Sequence, residues 1–193
     1  MIGSTILSSS FWPVSFYHYF KGGIHLLSAL RNFSIQILIF FVVFQSVSFL
    51  RETSMLSTDT EISTENDLLF TQIPTLMGET ISLNSQGKKT VIYFFAPWCQ
   101  VCHVSIGNLQ ALYEKNDNLD VIAVVMDFND IDEVMGFTKQ HQLTFPIALG
   151  NEEIKHAFSI SAYPSYYVIN EENSIIGKSL GYSSEVGLYL RSL

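Results

Sequence analysis

The sequence predicts an α/β fold, a central mixed β-sheet flanked by helices, preceded by one N-terminal transmembrane helix. Three observations carry this. Short, continuously apolar runs, VIYFFA at 91–96 and VIAVVM at 121–126, alternate with helical stretches, the mark of strands covered on both faces. The runs SYYVI (165–169) and SIIGKSL (174–180) flank Asn170-Glu171-Glu172-Asn173 as a hairpin. Residues 32–50, NFSIQILIFFVVFQSVSFL, run for 19 residues without a charge between Arg31 and Arg51, close to the ~20 that cross a hydrocarbon core.

The charge pattern sets the organisation. All 18 acidic residues of the 193-residue chain lie at or beyond Glu52, and residues 51–193 carry 8 basic against those 18 acidic groups, a net of −10. Such a domain lacks the clustered Lys and Arg that neutralise phosphates, which argues against nucleic acid; the acidity serves solubility. Four segments are predicted: 1–31 in the cytoplasm, 32–50 as the anchor, 51–67 as a linker and 68–193 as the α/β domain. Lys21 and Arg31 precede the span and acids crowd after it, which puts the domain outside. A cleaved signal peptide with Ser46-Val47-Ser48 at its cleavage site is the alternative, but the stretch before the span is long for a signal. The Ser/Thr/acid-rich residues 51–67 read as a solvated linker.

The elements follow in order. LFTQIPTLMGETISLN (68–84) suggests two short strands around Met77-Gly78-Glu79. After the strand at 91–96, Cys102, Ile106, Leu109 and Tyr113 share one face of a helix from Cys99 to about Lys115. After the strand at 121–126, Asp130 or Asp127 caps a helix over 131–141. FPIAL (145–149) is a short strand, and Asn151 caps a helix through Phe158. Beyond the hairpin, Ser183 or Ser184 caps a last helix.

The chain has two cysteines, in Trp98-Cys99-Gln100-Val101-Cys102-His103. C-x-x-C-H is a haem-attachment pattern, and W-C-x-x-C a redox pattern. The strand before the pair favours the second. Ala96-Pro97-Trp98 breaks that strand and delivers Cys99 to a helix N-terminus, where free N–H groups and the dipole favour a thiolate. Cys99 is then the nucleophile and the more buried Cys102 the resolving thiol. Two alternatives stay open: a Cu(I) site on Cys99, Cys102 and His103, and haem on Cys99 and Cys102 with Met126, Met135, His141 or His156 as second ligand.

The segment VIYFFAPWCQVC resembles the strand and active site of the thioredoxin superfamily, and Tyr163-Pro164 before SYYVI resembles its cis-proline loop. Phe145-Pro146 before IAL, together with the anchor, is similar to the TlpA/ResA-like membrane-anchored oxidoreductases. W-C-x-V-C, Gly181-Tyr182-Ser183-Ser184 and the single span resemble the copper-sensitivity suppressor (ScsD-type) branch. The resemblance implies a thioredoxin-like fold and a single-pass protein of the bacterial inner membrane, its domain facing the periplasm. It implies no cofactor and no resident metal. It further implies reduction of disulfides in periplasmic partner proteins, in cytochrome c maturation or copper stress, with electrons from a membrane thiol donor of the DsbD/CcdA/ScsB kind. Pro97, Trp98, Tyr163 and a cis Pro164 are the implied substrate-facing residues. The chain also departs from these families. Tyr93 stands where thioredoxin has a buried Asp, and Ser105 where ResA-like proteins carry a Glu. By residue type, His103 and Glu79 are the candidate proton relays.

Overall fold

The computed structural model describes residues 32–47, 55–58 and 70–192. Residues 32–47 form one helix, α1, with its apolar side chains exposed and Phe40 stacked on Phe44 at 6.4 Å between centroids. At 1.5 Å per residue the described stretch alone is about 24 Å long. Among the described residues no helix is long and apolar enough to cross a membrane. The described part of the expected 19-residue span, 32–47, is helical throughout; residues 48–50 and the expected cytoplasmic segment 1–31 lie outside the described residues.

The domain is built on a five-stranded mixed sheet in the order β5-β4-β3-β6-β7. Its strands are β3 (Lys89–Phe95), β4 (Leu119–Val125), β5 (Ile147–Leu149), β6 (Ser165–Ile169) and β7 (Ile175–Leu180). β3, β4 and β5 are parallel, so each crossover needs a helix: α2 (Gln100–Lys115) and α3 (Ile131–Gln140). Strand β6 then runs antiparallel to β3, and β7 to β6, through the Asn170–Asn173 hairpin. There Asn170 Oδ1 accepts from the Ser174 amide at 2.8 Å and Asn173 takes φ +65°. A separate two-stranded ribbon, β1 (Ile73–Pro74) with β2 (Thr80–Ile81), brackets the expected Met77-Gly78-Glu79 turn.

Alternation along β3 explains the layering. Val91, Tyr93 and Phe95 pack with Cys102, Ile106 and Leu109 of α2, Phe137 of α3 and Leu188 of α5 (Glu185–Arg191). Ile92 and Phe94 face the other way, onto Phe158, Ile154 of α4 (Glu152–Ala157) and Tyr167. Each such fully buried side chain contributes about 1.5–3 kcal/mol. Three helix starts follow the sequence signals: Asp130, Asn151 and Ser184 accept from backbone amides as N-caps of α3, α4 and α5. Asp127 does not cap α3, which leaves its side chain for another task. Gly150 is required by close approach, since a Cβ there would lie 2.1 Å from Met126 Sδ.

Part of the segment expected to be solvated linker is docked. Met55 is buried in the second core face, the Leu56 amide donates to Tyr167 Oη at 3.1 Å, and Lys178 Nζ donates to the Leu56 carbonyl at 3.0 Å. Met55 and Leu56 are the adjacent apolar pair in an otherwise polar stretch, and burying them outweighs the pull of their neighbours toward water.

Candidate active site

Strand β3 ends at Phe95, whose carbonyl accepts from the Met126 amide at 2.8 Å, so β3 and β4 finish at the same edge of the sheet. The chain then turns, with the Cys99 amide donating to the Ala96 carbonyl at 3.0 Å. Helix α2 begins at Gln100, one residue later than expected, because Cys99 is its N-cap: the Cys99 Sγ accepts from the Cys102 amide at 3.2 Å. A sulfur in that place receives the free N–H groups and the positive end of the helix dipole, the condition for a stabilised thiolate. Cys99 and Cys102 form a disulfide with Cα atoms 5.2 Å apart. Cys99 is 6% exposed and Cys102 fully buried, the asymmetry expected of an attacking and a resolving sulfur.

Two aromatic walls stand beside Cys99. Trp98 is 56% exposed, and the Tyr163-Pro164 peptide is cis. The rings of Trp98 and Tyr163 meet edge to face at 6.0 Å. The Pro164 carbonyl accepts from the Gly181 amide at 2.8 Å, and Gly181 holds φ +87°, a conformation that favours glycine. This bond ties the Gly181-Tyr182-Ser183-Ser184 stretch to the proline loop.

The proposed relays sit elsewhere. Both ring nitrogens of His103 are engaged away from the sulfurs: Nε2 with the Pro97 carbonyl at 2.8 Å, Nδ1 with His141 Nε2 at 2.7 Å. A neutral His103 that donates from Nε2 accepts at Nδ1 from His141. Both rings pack on Phe137, at 4.6 and 4.7 Å, so His103 is half-buried rather than a solvated surface residue. Burial, then the nearness of His103, lowers the His141 pKa. Glu79 is exposed in the β1–β2 turn, where its carbonyl accepts from the Thr75 amide at 2.7 Å; no recorded side-chain bond joins it to the site. Among the described residues no group of three or more His, Cys, Asp or Glu side chains is gathered to hold a metal ion.

Two groups complete the site whose members the sequence marks otherwise, Tyr93 and Ser105 as departures from the family pattern and Asp127 as a possible helix cap. In the core layer that holds Cys102 lies a floor of neutral hydroxyls. Ser105, one turn along α2, bonds Tyr166 Oη, and the Ser183 amide donates to Ser105 Oγ at 3.4 Å. Tyr93 pairs with Tyr166 across β3 and β6, its ring 4.7 Å away; Tyr93 Oη is buried and makes no well-formed hydrogen bond among the described residues, its polar neighbour being the Tyr166 phenol. Burial raises the Tyr93 pKa well above 10, and the neighbouring Tyr166 phenol adds to this. Burial also pushes Tyr166 up to about 12, against the opposing pull of its hydrogen bonds. Beside Cys99, Asp127 joins Trp98, Tyr163 and Lys155, as described below. The signal for it was positional: Asp127 follows the apolar run of β4 much as the active-site turn follows that of β3, and adjacent parallel strands end at one edge, where sites gather.

A disulfide at a helix N-terminus, with a cis-proline at the same edge of the sheet, on a sheet of this topology defines a thioredoxin-like domain with a redox-active pair. The sequence pattern of the Redoxin family matches residues 63–189, and the chain belongs to that family. It is 29% identical over 112 residues to the sporulation thiol-disulfide oxidoreductase A of Bacillus subtilis, an alignment covering 55% of this chain and 68% of the relative. It is 30% identical over 100 residues to the thiol-disulfide oxidoreductase ResA of Oceanobacillus iheyensis, covering 50% and 52% respectively. The crystal structure of StoA from Bacillus subtilis superposes with a TM-score of 0.57 at 26% identity, over 63% of this chain and 95% of that one. With such relatives and a disulfide at the redox position, the chain is an oxidoreductase of the thiol–disulfide class.

Proposed function

We propose that this protein is a membrane-anchored reductase of protein disulfides, working on the periplasmic side of a bacterial inner membrane. The carrying observation is the Cys99–Cys102 pair, with Cys99 as helix N-cap and rim sulfur and Cys102 fully buried. In the reduced protein the Cys99 thiolate attacks one sulfur of a client disulfide. A mixed disulfide forms, and the other client sulfur leaves as a thiolate that takes a proton from water. The Cys102 thiol loses its proton and attacks Cys99 Sγ, releasing the second client sulfur. Two electrons pass to the client and the Cys99–Cys102 disulfide is left. A dithiol donor in the membrane, of the DsbD/CcdA/ScsB kind, restores the pair.

Trp98, Pro97, Tyr163 and Pro164 take the role of client-facing surface. Neither His103 nor Glu79 is assigned the Cys102 proton here, because both are engaged or placed away from the sulfurs. Anchoring is supported by α1, whose exposed apolar side chains require a non-aqueous neighbour, and by the uncharged run from 32 to 50. The likeness to the ScsD-type branch makes copper-handling proteins and apocytochrome c the candidate clients.

The test is thiol trapping in living cells with an alkylating mass tag on the full-length protein. A mostly reduced pair supports a reductase fed with electrons. A mostly oxidised pair that added thiol reduces would overturn the direction. Cysteines that stay untaggable after reduction would point to thioethers and haem.

A further inference from the structure

Three loops meet beside Cys99, and one residue joins them. Asp127 follows β4 with φ +47°, the left-handed region that Asp tolerates better than most residues. Its carbonyl accepts from Trp98 Nε1 at 2.8 Å. One carboxylate oxygen, Oδ2, accepts from Tyr163 Oη at 2.9 Å, and both carboxylate oxygens accept from Lys155 Nζ at 2.9 Å. Lys155 also lies 3.7 Å from Glu152, one turn earlier on α4. Trp98 and Tyr163 touch each other, so the triangle Asp127–Trp98–Tyr163 is closed on all three sides.

We infer that Asp127 is a positioning residue: its carbonyl and carboxylate hold Trp98 and Tyr163 as one rigid pair of walls, and so set the grip on the polypeptide around a client's disulfide. The inference rests on the function proposed above. No recorded contact joins Asp127 to either sulfur, so its effect passes through the walls. The charges agree with this arrangement. Burial alone would raise the Asp127 pKa, but the hydrogen bonds from Lys155 and Tyr163, with the Lys155 charge, outweigh it and hold the carboxyl below its ordinary range. The anion is therefore in place at neutral pH to receive the Tyr163 hydroxyl. A phenol bonded to a carboxylate has one preferred ring position, whereas a free one swings. Because the backbone carbonyl holds Trp98 while the side chain holds Tyr163, loss of the carboxylate should loosen Tyr163 first and Trp98 through it.

The experiment uses the full chain in a Trp12→Phe background, so that emission reports Trp98 alone. Protein recycled by dithiothreitol, with the uncatalysed rate subtracted, is given insulin and, separately, hydroxyethyl disulfide, which has no polypeptide to grip. With Asp127→Ala, KM for insulin is expected to rise about 5- to 30-fold, the range lost with one or two such bonds, while kcat falls by less than about 3-fold and Trp98 emission shifts. The loss on the small disulfide should be several-fold smaller than on insulin. Tyr163→Phe, the gentler variant, should reproduce part of the KM effect and add nothing to Asp127→Ala in the double variant. Equal losses on both substrates, a fall in kcat alone, or unchanged KM and emission would each overturn the inference. If the unmodified protein reduces neither substrate, the proposed reductase function fails; Trp98 emission in the Asp127→Ala variant then decides the clamp separately.

Discussion

The rim and the floor of this site solve the same problem, holding groups around a disulfide, with opposite chemistry. At the rim, ionisable groups do the holding: Asp127 with Lys155 beside Trp98, and His103 with His141 beside Pro97. On the floor, in the core layer that holds Cys102, the polar groups are neutral hydroxyls: Ser105, Tyr166, Ser183 and Tyr93. The difference follows from water. Rim side chains are partly solvated, so the desolvation cost of a charge there is small enough for a partner such as Lys155 to outweigh it at Asp127. A carboxylate placed on the dry floor would need full compensation or would neutralise itself. The two cysteines divide along the same line, Cys99 at the rim and Cys102 in the floor.

The sharpest way to break that division is to remove one sulfur at a time. Cys99→Ser should take exchange down to the uncatalysed background, because no other thiol reaches a client. Cys102→Ser should leave the first attack intact and accumulate a mixed disulfide, since the resolving step is gone. Non-reducing gels with a client protein read both outcomes. Mixed disulfide accumulating instead in Cys99→Ser would reverse the assignment of rim and floor.

The next effect is on stability and belongs to the floor. Tyr166→Phe leaves Ser105 buried without its phenol partner, at a cost of about 1–3 kcal/mol in urea unfolding. Tyr93→Phe removes a buried hydroxyl that makes no well-formed hydrogen bond, so it should be neutral or stabilise by up to about 1 kcal/mol. The pair of variants sharpens the comparison, because the two phenols are register partners with opposite hydrogen-bond status. A loss above about 1 kcal/mol in Tyr93→Phe, or slower release of mixed disulfide at unchanged stability, would show that this hydroxyl acts on the Cys102 proton.

Rim and floor were also unequally legible in the sequence. The strands were readable because buried parallel strands are continuous apolar runs, and SYYVI became β6 at both its ends. Cys99 and Cys102 were marked by a local motif, and the cis Pro164 by resemblance. Asp127 was not. Its partners Lys155 and Tyr163 lie 28 and 36 positions away, and no periodicity links an ion pair across three loops. Locally it looked like a helix cap, a role Asp130 fills. Tyr93 and Tyr166 were hidden differently: an aromatic in a strand reads as core, and only the fold shows that their hydroxyls share one dry space with Ser105. The pairing of His103 with His141 was not legible because the two lie 38 positions apart on different helix ends.

The smallest predicted effect separates rim from floor by pH. The folded-state pKa of His141 lies below its ordinary value of about 6.5, because burial and His103 disfavour its charge. Between that depressed value and about 6.5 the unfolded chain binds more protons than the native one, so stability from this group is complete above about pH 6.5 and declines as acid is added through the window. The hydrogen bond has the same limit. One proton between His103 Nδ1 and His141 Nε2 keeps the bond, and a second ring proton breaks it. His141→Gln retains a donor toward His103 and cannot titrate, so its stability curve should flatten over that window while the wild type still slopes. The floor phenols, Tyr166 pushed up to about 12 and Tyr93 raised well above its ordinary value by burial, stay neutral throughout and contribute no slope. An identical slope in His141→Gln would place the titration on other groups and remove the imidazole pair as the feature that separates rim from floor in this range.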